Sequence, residues 1–287
     1  MSGANHRHSV RGADGAERRR GEVASLLTWS AGAAVPAVAA ALLILAQITY
    51  PLTAGSARDG VIAAIVVLSA LTALAHAWVT RGPRYAAGLL VIVSGIGLVA
   101  EIVGTATGFP FGCYHYAHRL GPELADVPLL VPLAWTGGLY PVWIAAGLVC
   151  SRSRLRIPLT ALGAVGWDLF LDPQMVAAGQ WSWCAPRPGP PGTDIPYTNY
   201  LGWFAVALLM AALLTLLDRV LARPAASPTV PVLVLLWTWL GSALAHAVFL
   251  GLPASAGYGF LGLGIVGIPL LWTLVRTRHG ISATVRR

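Results

Sequence analysis

Glu101, Asp168 and Asp172 each lie inside a stretch of chain that is otherwise apolar. A carboxylate at bilayer depth costs roughly 2.5–3.5 kcal/mol, so ionisable groups within membrane spans mark functional sites by default. Asp168 and Asp172 are spaced i, i+4 and share one helix face. Two like charges one turn apart in a low dielectric cannot both ionise cheaply, so one acid is expected to hold its proton and the other to release it. That pairing suits a general acid and a general base. The competing reading is structural: buried acids bonded to neighbouring helices, with His246 the one deep partner in reach and His76 too near the opposite face to matter. Glu101 precedes Gly104, Thr105 and Gly108, a small-residue spacing that permits close helix approach. Its carboxyl is therefore expected between helices, as a catalytic acid or as a buried hydrogen-bonding group.

Flat rings surround these acids in the sequence. The segment 108–116 alternates aromatics with turn formers and ends on Tyr114, His115 and Tyr116. A second segment holds Trp181 and Trp183, the Pro-rich stretch 186–191, and Asn199. With Trp135 and Tyr140 they form a candidate substrate-binding set, able to line a polyene tunnel or to shield a developing cation. The plainer readings are an interfacial aromatic belt and ordinary packing. The spacing at 168–172 is also one that binds Mg²⁺ and diphosphate. A second acidic cluster and phosphate-binding Arg residues are missing from its surroundings, so no metal and no cofactor are expected. The cysteines follow no metal or redox spacing. A Cys113–Cys184 disulfide is geometrically open, but three unpaired small apolar residues are the expectation.

The elements that must position these groups are membrane helices. The chain has 287 residues, 56% of them hydrophobic and 10% charged, and its mean hydropathy is +0.70. Soluble domains carry about 25% charged residues. Apolar runs of about 20 residues predict an all-α polytopic bundle of eight spans, at 30–49, 60–79, 86–107, 128–149, 157–177, 200–221, 230–250 and 258–275. All 19 basic residues are Arg. Three of them, Arg58, Arg119 and Arg187, fall in outer connections, which leaves 16 inside. That asymmetry predicts both termini in the cytoplasm of a multi-pass cell-membrane protein. The net charge of +8 is thereby explained by topology, and nucleic acid is not an expected partner. Residues 1–29 read as a disordered Arg-rich arm touching anionic lipid, 30–276 as one membrane domain, and 277–287 as a cytoplasmic tail. Outer loops 108–127 and 178–199 are long. In this topology all three acids fall between the bilayer centre and the outer face, beneath those loops.

Four strings read together, EIVGTATGFPFGCYHY, VPLAWTGGLYP, WDLFLDPQMVAAGQWSW and IPYTNYLGW. In this order they resemble the carotenoid biosynthesis membrane proteins that include the carotenoid 1,2-hydratases. The resemblance covers about residues 95–205. The family pattern falls on Glu101, Gly104, Tyr114, Tyr116, Trp135, Trp167, Asp168, Asp172, Pro173, Trp181, Trp183, Asn199 and Trp203, among others. Ala117 and Asp194 depart from it, both in loops, which bears on substrate choice more than on chemistry.

The resemblance implies acid-catalysed addition of water across the terminal 1,2 double bond of an acyclic ψ-end carotenoid, giving a tertiary alcohol. Asp168, the deepest acid, is expected to donate the proton, and Asp172 and Glu101 to orient and deprotonate water. Carotenoid, water and membrane lipid are the expected partners. One alternative is a lycopene-cyclase-like enzyme that forms the same cation and excludes water. Another is a carotenoid- or lipid-binding protein or transporter without catalysis.

Overall fold

A computed structural model describes residues 34–150, 152–184, 188–221 and 227–285, the side chains of 277–285 excepted. The expected Arg-rich arm at 1–29, with Arg187 and Arg223, lies outside the described residues. Eight long helices form the described bundle: α1 Ala34–Thr49, α2 Gly55–Arg81, α3 Pro83–Thr107, α4 Leu130–Val149, α5 Ser153–Ala177, α6 Tyr197–Val220, α7 Thr229–Leu244 and α8 Pro253–Val285. A 3₁₀ turn, Tyr50–Leu52, follows α1, and a π-helical turn, Ala245–Phe249, follows α7. The last helix runs through most of the expected tail.

Six of these helices are long and apolar enough to cross a bilayer; α4 and α5 are not among them. Hydropathy alone thus supports six of the eight expected spans, and the reason is compositional. Helix α4 carries Trp135, Tyr140 and Trp143, all buried, with Pro141 inside it. Helix α5 carries Arg154, Arg156, Asp168 and Asp172. Together they bury Trp135, Tyr140, Trp143, Asp168 and Asp172 against neighbouring helices, so neither needs a wholly apolar surface.

Close approach between α5 and α8 depends on Gly166. A Cβ there would run into the backbone of Gly262 and Leu263, and packing of this kind is how membrane helices associate. Gly166→Ala is expected to destabilise the bundle by about 1–3 kcal/mol. Gly95→Ala, whose added carbon meets open space, should cost nothing measurable. Thermal unfolding of the detergent-solubilised variants checks the contrast.

Helix α5 is interrupted just past the second aspartate. Pro173 has no N–H for the carbonyl of Leu169, four residues back. Ser255 of α8 donates its hydroxyl to that carbonyl at 2.7 Å, which restores the lost bond from a neighbouring helix. Ser255 is itself 2.9 Å from His246 Nδ1, and His246 Nε2 lies 3.1 Å from Gln174 Oε1. His246 therefore serves this repair, and the expectation that it partners the aspartates is corrected.

The two ends of the bundle differ. At one end Asp218 of α6 accepts from Arg81 of α2 at 2.8 Å, from Arg156 of α5 at 2.8 Å and from Tyr85 of α3 at 2.8 Å. The Arg156 guanidinium also lies over the ring of Trp143 in α4. At the other end two loops form a cap. Strand β1, Tyr114–Tyr116, pairs antiparallel with β4, Trp181–Trp183. A small hairpin, β2 Glu123–Leu124 and β3 Val127–Pro128, lies between them in sequence. Its turn residues Ala125 and Asp126 both have positive φ, 51° and 62°, as a two-residue hairpin with the right twist requires.

Candidate active site

Strand alternation aims the cap's rings. The register pairs Tyr114 with Trp183, His115 with Ser182, and Tyr116 with Trp181. Successive side chains leave a strand on opposite faces, so both tyrosines turn toward the bundle while His115 and Ser182 are exposed. Tyr114 packs edge-on against Tyr116, with ring centroids 5.5 Å apart, and Tyr116 against Trp181 at 5.5 Å. A disulfide joins Cys113 to Cys184, one residue before β1 and one after β4. This corrects the expectation of unpaired thiols. The bond links two loops 71 residues apart in sequence.

Glu101 of α3 receives three donors. Tyr114 Oη and Tyr116 Oη donate to Oε2 at 2.5 and 2.8 Å, and Trp135 Nε1 donates to Oε1 at 3.1 Å. Tyr114 reaches this position because Gly104, one turn beyond Glu101, has no side chain; a Cβ there would meet its hydroxyl at 2.7 Å. Burial, and then the Glu101 carboxylate, pushes both phenols well above their ordinary range. They stay protonated and remain donors. The carboxyl is thus fitted as an acceptor on both oxygens.

The aspartates are held differently. Asn199, in the first turn of α6, donates to Asp168 Oδ2 at 2.8 Å and to Asp172 Oδ2 at 2.5 Å. Trp181 Nε1 donates to Asp172 Oδ1 at 3.2 Å. Both Oδ2 atoms meet the same amide nitrogen, so the two carboxyls are close neighbours, and Asp168 Oδ1 has no N–H or O–H donor among the described residues. One side-chain amide therefore spans both acids.

Glu101 and Asp172 line one cavity beneath the cap, together with Asn199 and the rings of Phe111, Tyr114, Tyr116, Trp135, Trp181, Trp183 and Trp203. It encloses about 60 Å³. Trp203 stacks on Trp135 with centroids 3.7 Å apart. Asp168 does not line this space; it lies behind Asp172, fully buried at 0% exposure. The expectation that Asp168 meets the substrate directly is therefore corrected.

Two other candidates are placed elsewhere. Tyr140 is 2.9 Å from His76 Nδ1 and lines no part of the cavity. His115 stands outside the cap, 3.2 Å from Cys184 Sγ. Trp203 and Phe111 were absent from the candidate set and belong to the wall. Each was marked in the sequence by its place in a family string, Trp203 in IPYTNYLGW and Phe111 in EIVGTATGFPFGCYHY.

A family model described as "Carotenoid biosynthesis protein" matches residues 61–272. Among curated proteins, the chain is similar to the Bisanhydrobacterioruberin hydratase of Haloarcula japonica, 30% identical over 202 residues. The match covers 61% of this chain and 66% of that protein, so the chain spans a little under two thirds of that relative's length. No solved structure matches significantly.

Proposed function

This chain belongs to the carotenoid biosynthesis protein family, and from that premise we propose that it is a membrane hydratase that adds water to the terminal double bond of an acyclic ψ-end carotenoid. The observation that carries the reading is the shared cavity. An acid spanned by one amide and an acid fitted as an acceptor line the same apolar, ring-walled space. The hydratase name of the Haloarcula relative supports the reaction class.

The chemistry divides between the two acids. Asp172 gives its proton to C2 as the π electrons form the new C–H bond, leaving a tertiary cation at C1. Trp135, Trp203 and Tyr116 present ring faces or edges to that charge. Water adds its oxygen to C1, and Glu101 takes the surplus proton. Asp168 shares that proton with Asp172 in the resting pair, and transfer of water's surplus proton from Glu101 back to the pair closes the cycle. Net, one water is added and nothing is oxidised.

The eight helices are read as eight spans, with α4 and α5 crossing inside the lipid-facing six. Both termini lie in the cytoplasm and the cap faces outward, following the Arg asymmetry. Expression in a lycopene-producing host, with mass analysis of the pigments, tests the function. The expected product is an acyclic carotenoid heavier by one water for each end modified. A product of unchanged mass with a cyclised end would overturn hydration in favour of cyclisation.

A further inference from the structure

A second, larger space adjoins the acid cavity. It encloses about 410 Å³ between α1, α2, α4, α5 and α7. Small-molecule pockets usually hold about 300–1,000 Å³. Ile62 and Val66 of α2, Ala134 of α4, and Leu171 and Met175 of α5 line both spaces, so one wall separates or joins them. Flat rings of Trp167, Phe170 and Trp237 continue along it. Its few polar groups are tied back: Gln47 Oε1 accepts from Trp237 Nε1 at 2.8 Å, and Gln174 Oε1 is held at His246.

The mouth opens sideways. Ile48, Leu52, Leu244 and Phe249 line it and are 46%, 76%, 59% and 61% exposed. Ile48 lies at the end of α1 and Leu52 in the 3₁₀ turn after it, while Leu244 ends α7 and Phe249 ends the π-helical turn after it. A π turn widens a helix locally and recurs at functional sites. Here it turns large apolar side chains outward beside the opening, where a bilayer would meet them.

We propose that this lateral cavity is the channel for the polyene chain, admitting the carotenoid from the lipid between α1 and α7 while its reactive end enters the acid cavity. The assignment rests on the hydratase reading. A conjugated polyene is long, stiff and apolar, and the acid cavity holds only its end. The remainder needs an apolar path that starts at the acid cavity's wall and finishes in lipid. The larger space meets both conditions and is walled by surfaces on which a polyene can stack.

Ser242→Phe and Thr238→Trp place bulk in the channel, at α7 positions that do not line the acid cavity. Each variant is assayed in detergent with lycopene and with β-farnesene, a short terpene bearing the same end group. The ratio of lycopene to β-farnesene hydration is expected to fall by about ten-fold or more, the scale of overfilling a packed site. A ratio equal to that of the native protein overturns the channel and leaves the hydratase reading standing. If the native protein hydrates neither probe, the hydratase reading fails, and lycopene retention through purification decides the channel separately. Retention by the native protein and loss from both variants supports it. Equal retention, or a phospholipid that lycopene does not displace, overturns it.

Discussion

Asp172→Asn is expected to lower the rate of carotenoid hydration by about 10²–10⁴-fold, the usual contribution of a positioned general acid. The substitution keeps the shape but turns one of the two acceptor oxygens into a donor, so either Asn199, which donates to Oδ2, or Trp181, which donates to Oδ1, loses its acceptor. It removes the one aspartate proton that faces the cavity. Asp168→Asn should cost less, because that group acts only through its neighbour. It leaves Asp172 in place to protonate the alkene but removes the carboxyl that shares its proton. Initial rates of water addition to lycopene, followed by mass, measure both. The reverse order, an inactive Asp168→Asn beside a fully active Asp172→Asn, would assign proton donation to the deeper acid.

Glu101→Gln is the second large effect, and it acts in two ways. The amide removes the base that takes water's proton, worth about 10²-fold or more. It also turns one of two acceptor oxygens into a donor. Tyr114, Tyr116 and Trp135 then aim three N–H or O–H groups at a side chain with one oxygen. Leaving a buried donor unsatisfied costs about 1–3 kcal/mol, so the cap should loosen as activity falls. Faster proteolysis within residues 108–127 reports the loosening. Tyr114→Phe separates the two effects. It keeps the carboxylate and deletes a single charge-assisted bond, so activity should drop by only about 10–100-fold. Equal losses in Glu101→Gln and Tyr114→Phe would deny the carboxylate any role beyond anchoring the cap.

Much of this site was readable from residue types, because an acid in an apolar run is conspicuous. Glu101, Asp168 and Asp172 stand out on charge alone, and the i, i+4 spacing places the aspartates on one face. What brings Glu101 to them is less visible. The cap is built from two three-residue strands distant in sequence, too short for a periodic signal, and the disulfide that joins their ends has no local mark. Tyr140 was grouped with Trp135 although five residues separate them. At 3.6 residues per turn their side chains diverge by about 140°, so one faces the acids and the other faces His76. His246 was misassigned because the need it meets arises from Pro173, whose missing N–H leaves Leu169 to be satisfied from another helix. The span count was blurred for a related reason: hydropathy measures contact with lipid, and α4 and α5 bury rings and carboxyls against protein.

The ion cluster around Asp218 has a mechanical consequence. It draws α2, α3, α5 and α6 together at the end remote from the reacting groups, and Arg156 lies against Trp143 of α4 there as well. Neither α1 nor α7 contributes a residue to it. The four helices carrying the acids, the bridging amide and the indole partner thus share a rigid root with α2, while the two flanking the sideways opening stand outside it. A bulky guest that parts those two breaks the Gln47–Trp237 bond between them and leaves the root intact, so the spacing of the proton-handling groups need not change as it enters.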